Sequence, residues 1–391
     1  MEKKFATAIT NQKDGPKAAE ELAGKLRASL GNSDCHLAFF FLSEGYTDKP
    51  PKEVVEAFRK KLNPQFLIGC NAIGVIGDER ELEMEAGMSA MAMHLPGVDI
   101  SSFNFSQSDL EYMTNPKDLL NYLEIYPNEL PKFVSIADPL SCDGSRMLSL
   151  FNAAYPQAPL IGGLASGNIL GAENWIALDG EMLQSGSAGL VLHGGINLET
   201  CVSQGCRPIG EPLAVTKGEN NVLHELGGRS ALEAFREIYR TLSIEDQMLA
   251  QTSLFVGLAM DENQQVYQRG DFVIRNITGV DQASGALSIG ALLEQGQTLQ
   301  FQLRDAKTSE EDLEHLLEKM GRLEARSKGA LLVSCCGRGR GLFGEEDHDI
   351  RIIQKKIGPL PVTGFFANGE FGPVKASNYI HGYTSSLSIF H

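Results

Sequence analysis

No stretch of this chain stays apolar long enough to cross a bilayer. The most hydrophobic early run, Leu37 to Leu42, is far short of the ~20 residues that a spanning helix needs. Basic charge is also short: 34 Lys and Arg face 50 Asp and Glu, for a formal net charge of −16. Such a field repels phosphate backbones and anionic lipid, which excludes nucleic acid and membrane surfaces as partners. Met1 to Thr10 contain no apolar h-region, so no secretory signal is expected there. The seven cysteines are odd in number and contain no Cys-x-x-Cys pair, the nearest approach being Cys201 with Cys206. Free, reduced thiols in a cytoplasmic, soluble protein are the expectation. A Gly-x-Ser-x-Gly elbow is missing too, and Asp143-Gly144-Ser145 reads as a helix start, so no Ser/His/Asp hydrolase is indicated.

What the chain has in quantity is glycine, with 41 residues, and 391 residues suffice for about two or three domains of ~150 each. The glycines mark the ends of short β-prone runs. Phe66-Leu67-Ile68-Gly69, Pro159-Leu160-Ile161-Gly162-Gly163 and Pro361-Val362-Thr363-Gly364 are three such runs. Each follows an apolar strand (Leu37–Leu42, Phe133–Ala137, Ala330–Cys335) and a helix (Pro51–Leu62, Ser145–Ala154, Asp347–Ile357). Each precedes a Gly-headed strand, at Gly87–Leu95, Gly186–His193 and Gly382–Phe390. Leu254 to Ala259, after a helix at Arg229–Leu242, offers a degraded fourth copy around Gly257.

The pattern breaks at Arg207–Gly218, where prolines and glycines interrupt it. The expected fold is therefore α/β (α+β), with two similar halves, 1–210 and 211–391, each a β-sheet flanked by helices. In the second half, Gly270–Asn276, Ala286–Gly290 and Thr298–Leu303 read as an antiparallel meander with a turn at Asp281–Gly285. Thr308–Arg322 reads as a helix with Leu313, Leu316, Leu317 and Met320 on its apolar face.

The order of several short motifs resembles the FIST family, a sensory domain with N- and C-terminal parts. In the first half these are Asp138-Pro139-Leu140-Ser141, Tyr155-Pro156 and Ile161-Gly162-Gly163-Leu164-Ala165-Ser166. In the second they are Arg275 to Asp281, Gly296-Gln297, Leu303 to Ala306, Cys336 to Gly339, Gly364 to Pro373, and His381 to Thr384. The resemblance implies small-ligand sensing, with amino acids as one ligand class and haem-linked nitric oxide sensing in some members. Multidomain relatives attach output domains such as an F-box. Here the motifs occupy nearly all of the chain, from about Ala38 to Phe390, which implies a separate signalling partner.

The residues themselves suggest one binding region. Glycine lets backbone N–H groups approach a ligand, and strand ends in α/β folds form crevices, which points to Gly162, Gly163, Gly364 and Gly369. Arg338, just past a buried-type strand, suits a carboxylate; Glu370 suits an ammonium, and Asn368 either end. Arg338 and Glu370 could otherwise pair with each other. Cys336 becomes reactive only beside a cation such as Arg338. An enzyme built on Cys336, Arg338 and Glu370 is the rival reading, and no catalytic constellation supports it. For haem, His94 and His193 fall at matching places in two copies and His381 heads the last strand. Gly339 to Gly344 spells G-x-G-x-x-G, but Glu345, Glu346 and Asp347 directly after it would repel a pyrophosphate.

Overall fold

The structure, a computed structural model, describes residues 2–43, 45–46, 51–170, 173–321 and 328–391. Its first copy of the repeat runs β1 (Lys4–Thr10), α1 (Gly15–Leu30), β2 (Leu37–Ser43), α2 (Pro51–Leu62), β3 (Phe66–Ala72), β4 (Gly74–Gly77), β5 (Arg80–Glu83) and β6 (Met88–His94). The second runs β7 (Val98–Phe105), α3 (Gln107–Tyr112), α4 (Pro116–Leu123), β8 (Lys132–Ala137), α5 (Gly144–Ala154), β9 (Leu160–Leu164), β10 (Ile176–Leu178), β11 (Glu181–Leu183) and β12 (Ser187–Gly194). A third opens with β13 (Leu198–Ser203). It is interrupted by β14 (Cys206–Glu219), β15 (Val222–Leu226), β16 (Arg229–Ser230), α6 (Ala231–Thr241), α7 (Ile244–Leu249), β17 (Leu254–Ala259), β18 (Phe272–Asp281), β19 (Ala286–Ile289) and β20 (Thr298–Arg304). It resumes with α8 (Ala306–Met320), β21 (Gly329–Cys335), α9 (Arg340–Phe343), α10 (His348–Ile357), β22 (Val362–Ala367), β23 (Glu370–Val374), β24 (Ser377–His381) and β25 (Ser385–Phe390). Arg322, the expected last residue of the α8 helix, lies outside the described residues.

The chain forms two compact units. Residues up to Val202 make one together with Glu314–Ile380 and Thr384–His391; Ser203–Leu313 and His381–Tyr383 make the other. The first unit holds three six-stranded sheets, ordered β1-β6-β2-β3-β10-β11, β7-β12-β8-β9-β23-β24 and β13-β25-β21-β22-β4-β5. In each, the glycine-bearing strand runs parallel to the strand before the helix (β3 to β2, β9 to β8, β22 to β21). The following strand lies antiparallel on the other side (β6, β12, β25). The copies therefore number three, not two halves. Each also carries a hairpin that the glycine pattern did not reveal. The hairpin leaves its own sheet: β4–β5 extends the third sheet, β10–β11 the first and β23–β24 the second. The exchange closes into a ring.

The anchor glycines have a packing cause. Gly69, Gly162 and Gly364 face Phe40, Ser135 and Leu332 on the parallel neighbour. A Cβ at any of them would overlap the facing residue's carbonyl oxygen. Gly162 also has φ 122°, open to glycine alone among ordinary residues. Gly364→Ala is expected to lower stability by about 3 kcal/mol or more, because a backbone carbonyl cannot rotate aside as a side chain can. Urea unfolding of the variant measures this.

The strands alternate as half-buried β requires. In β2, Leu37, Phe39 and Phe41 face an inner core shared with Val134, Ile136 and Ile161 of the second sheet and Leu331, Val333 and Phe365 of the third. Phe41 and Phe365 stack there at 4.8 Å. The alternate residues Ala38, Phe40 and Leu42 meet helices α1 and α2. Helix α1 starts where the Asp14 side chain accepts the Lys17 N–H and stops at Gly31, φ 61°.

The second unit departs from expectation in two ways. Residues 206–219 form the long strand β14 instead of a joint; a register shift between Ile209 and Leu213 absorbs Gly210 and Pro212. The strands after it are not a simple meander, for β20 inserts between β14 and β17 while β19 pairs with β15 and β18. Since β14 also pairs with β15, the sheet closes on itself around Val256, Leu258, Leu299, Phe301 and Leu303, with α6 packed against that core. Gly257 is not a fourth anchor: its strand is antiparallel to both neighbours. The Asp281–Gly285 turn forms as read, the Asp281 carboxylate accepting from Ala283 N–H at 2.9 Å and Ser284 Oγ at 2.6 Å.

Candidate functional site

Three copies of one unit in one chain allow a comparison within the molecule. The N–H groups of Ser43, Asp138 and Cys335 donate to the carbonyls of Gly87, Gly186 and Thr384, each at 2.9 Å, so these pairs are equivalent. Likewise Val75, Ile176 and Glu370 each face the residue after an anchor glycine: Phe365, Cys70 and Gly163. Thus where two copies bury Val75 and Ile176, the third buries a carboxyl. Glu370 is wholly inaccessible. Its Oε2 accepts the Thr384 hydroxyl at 2.7 Å and the Thr384 N–H at 3.2 Å, and the Cys335 side chain also hydrogen-bonds the carboxyl. Burial, and then the neighbouring Cys335 thiol, push the Glu370 carboxyl well above the usual range.

The same logic picks out Glu81. It lies opposite Ile76 in its hairpin as Met182 lies opposite Ala177. Glu81 Oε1 accepts the Ile350 N–H at 2.9 Å, at the start of α10, and Oε2 has no partner among the described residues. Burial and then the charge of Asp349 raise its carboxyl well above normal.

Asp349 itself holds Arg338. The guanidinium Nε donates to Asp349 Oδ2 at 2.7 Å and Nη2 to Oδ1 at 2.9 Å, with both side chains buried. Ser334 Oγ reaches Asp349 Oδ2 at 3.4 Å and His348 Nδ1 lies 3.1 Å from Oδ1. The Phe343 ring stacks on His348 at 3.4 Å, and the guanidinium carbon sits 5.2 Å from that ring's centre. Burial would raise the Asp349 carboxyl, but the Arg338 charge outweighs it, with His348 assisting, and holds the group well below its ordinary value. Among the described residues, Arg338 Nη1 has no hydrogen-bond partner.

Among the described residues, then, the Arg338–Glu370 pair foreseen from sequence does not form: Asp349 takes the cation. Pairing of β9 with β23 brings Gly162 and Gly163 beside Glu370 and Gly369, and the Asn368 N–H donates to Leu164 O at 3.0 Å. The Asn368 side chain is exposed; His381 is buried at the end of β24. Cys336 is half-buried, its N–H bonded to Ala367 O at 2.9 Å. In the G-x-G-x-x-G stretch, the Glu83 carboxyl accepts the Arg340 N–H at 2.8 Å, covering the place a phosphate would need. Sequence reading missed Asp349 and Glu81, and named Thr384 only as the end of the His381–Thr384 motif. The sequence reading weighed Glu345, Glu346 and Asp347 at the start of that helix but not Asp349, and the hairpin that carries Glu81 was not foreseen.

The histidines have other neighbours. Equivalent positions at the ends of the last strands hold His94, His193 and His391, not His381, as the pairings Leu37–Met93, Lys132–Leu192 and Gly329–Phe390 require. His94 Nδ1 lies 2.9 Å from Asp34 O, His193 lies 3.9 Å from Glu129, and His391 lies 3.2 Å from Glu199. Among the described residues, no group of three His, Cys, Asp or Glu side chains is gathered as a metal site.

No disulfide joins any of the seven cysteines, and six of them are buried. Burial pushes Cys35 and Cys142 up to about 11. A thiol reagent at neutral pH is expected to modify Cys336 first and to reach all seven only in denaturant. Mass spectrometry of the singly modified protein reads which cysteine reacted.

Residues 36–229 match the FIST N domain and residues 231–373 the FIST C domain. An uncharacterized protein of Mycobacterium tuberculosis, Rv0628c, is 33% identical over 388 residues, 99% of each chain. An uncharacterized Mycobacterium bovis protein, Mb0898c, is 32% identical over 402 residues, covering 99% of this chain and 98% of its own. The class is a sensory and signal-transduction module of mixed α/β architecture. This chain belongs to the FIST family. Among the described residues, no helix is long and apolar enough to cross a membrane.

Proposed function

We propose that the chain is a small-ligand-binding module that signals through a separate protein, with an amino acid or similar carboxylate as ligand. The binding place is the end of β21, where β23 pairs with β9. One observation carries this reading: a wholly buried carboxyl, hydrogen-bonded by Thr384 and Cys335, stands where both other copies hold an aliphatic side chain. A purely structural position would tolerate valine there, as it does at Val75; a wholly buried acid costs stability even when hydrogen-bonded, and a ligand would account for its being kept. In this reading Glu370 is the contacting group, Gly163 and Gly369 lie beside it, Asn368 contributes its exposed side chain, and Cys336 forms the rim. Arg338 braces the loop through Asp349 and offers Nη1. Native mass spectrometry of protein purified from its own host tests it. A retained small mass that is absent in Glu370→Val supports the reading. No retained mass, with no response of the melting temperature to amino acids or simple carboxylates, overturns it.

A further inference from the structure

Strands β8 and β9 run in parallel, so the loops that lead into them lie side by side. Between these loops is a pocket of about 310 Å³, a size within the lower range of small-molecule sites. Pro127, Leu130, Pro131 and Lys132 line one side and Tyr155 to Pro159 the other, all within the first unit. Four of the lining residues are prolines and have no N–H to offer. Four further donors are spent inside the loops. Leu130 N–H donates to Pro127 O at 3.1 Å, Tyr155 N–H to Phe151 O at 2.8 Å, Ala158 N–H to Tyr155 O at 3.1 Å and Tyr155 Oη to Ile125 O at 2.8 Å. Among the described lining residues only Lys132 is charged. One of its three donors goes to Leu130 O at 2.8 Å. Burial alone holds its ammonium below the usual lysine value, with no carboxylate beside it to raise it. Glu129, in the same loop, accepts the Tyr126 N–H at 2.7 Å and lies 3.9 Å from His193. The anchor-glycine register puts Lys132 where the other copies have Leu37 and Gly329. A strand start that accepts leucine or glycine needs no lysine for packing.

We propose that this pocket binds a small organic acid with one carboxylate and an apolar body, the carboxylate meeting Lys132 Nζ and the body lying against the prolines and Leu130. The single ammonium balances a single negative charge. A phosphate or a polyanion needs several N–H groups, which the prolines withhold, and the net charge of −16 opposes multiply charged ligands. Leu130 is 71% exposed at the pocket and is held at φ 53°, a backbone conformation that costs a leucine energy. An apolar ligand body would cover that side chain. The site lies at the start of β9, where Pro159 leads in, and Glu370 pairs near the other end of the same strand, at Gly163. The proposal therefore stands apart from the ligand reading at β21, and neither needs the other.

The test is calorimetric titration of the full chain at neutral pH and low salt with benzoate, benzyl alcohol and benzylammonium as separate probes. Benzoate is expected to bind tightest, benzyl alcohol about fivefold more weakly, and benzylammonium not at all. Lys132→Met should weaken benzoate about fivefold and leave benzyl alcohol unchanged, whereas Lys132→Arg should keep benzoate within about twofold. Ala158→Leu, which fills the pocket, should weaken both benzoate and benzyl alcohol about tenfold. Lys132 and Ala158 are half-buried, and either position alone locates the site if a variant at the other fails to fold. Because the place at the end of β21 is also read as a carboxylate site, it is these variants, and not binding itself, that locate the ligand. Benzoate affinity unmoved by Lys132→Met and Ala158→Leu places the acid elsewhere and overturns this proposal while leaving the β21 reading intact. Benzylammonium binding as tightly as benzoate, or no binding of any probe, overturns it as well.

Discussion

Raising the pH from about 5 to about 8 should destabilise the protein, and Glu81→Gln with Glu370→Gln should remove much of that loss. Both carboxyls are raised in the folded state, Glu370 by burial and then Cys335, Glu81 by burial and then Asp349. Folding therefore takes up a proton at each. Stability from such a group is complete below the unfolded value of about 4.3 and is lost as pH rises toward the folded value. The loss is about 1.4 kcal/mol per pH unit for each group held protonated. Asp349 has the opposite sign, its carboxyl being depressed, so its contribution is already full above the unfolded carboxylate range. Glu83, raised by burial, adds to the downward slope, and His36, lowered by burial, opposes it. The reading is therefore the difference between parent and variant in urea unfolding across the pH range. Equal slopes in parent and double variant would show that both glutamates ionise freely in the folded protein.

The second large effect is at Asp349. Asp349→Ala leaves the Arg338 guanidinium buried without its partner and should cost about 3–5 kcal/mol. Asp349→Asn, which keeps a carbonyl for one of the two donors, should fall between it and the parent. Arg338→Met combined with Asp349→Leu should recover most of the loss, because removing both charges leaves nothing uncompensated. Denaturant midpoints of the four proteins check the order. A single Asp349→Ala variant as stable as the parent would show that the guanidinium finds water or another carboxylate.

These sites show why the sequence disclosed the repeat more readily than the chemistry. The strand, helix and glycine pattern is local, and it located β2, α2, β3, β8, α5, β9, β21, α10 and β22 closely. It failed where partners come from afar. The hairpin β4–β5 pairs with β22, and Glu81 serves a helix 269 residues downstream. Nothing in Arg80-Glu81-Leu82-Glu83 marks one acid as buried. Glu370 stood out in the sequence by its glycine-rich setting, yet its counterparts Val75 and Ile176 become visible only when sheet register aligns the copies. The long strand at 206–219 was missed because proline and glycine usually end strands, whereas here a bulge carries them.

The ring of exchanged hairpins also sets an order of events during synthesis. Gly77 emerges from the ribosome early but pairs with Thr363, so the first hairpin has no sheet to join until nearly the whole chain exists. The first sheet waits in turn for β10–β11, and the second for β23–β24. Until then each growing sheet exposes an unpaired edge, the kind of surface on which neighbouring chains associate. The fold is thus completed by its last strands, and a nascent chain stalled before β22 would hold two unfinished sheets, the second and the third, beside a first that already has all its strands.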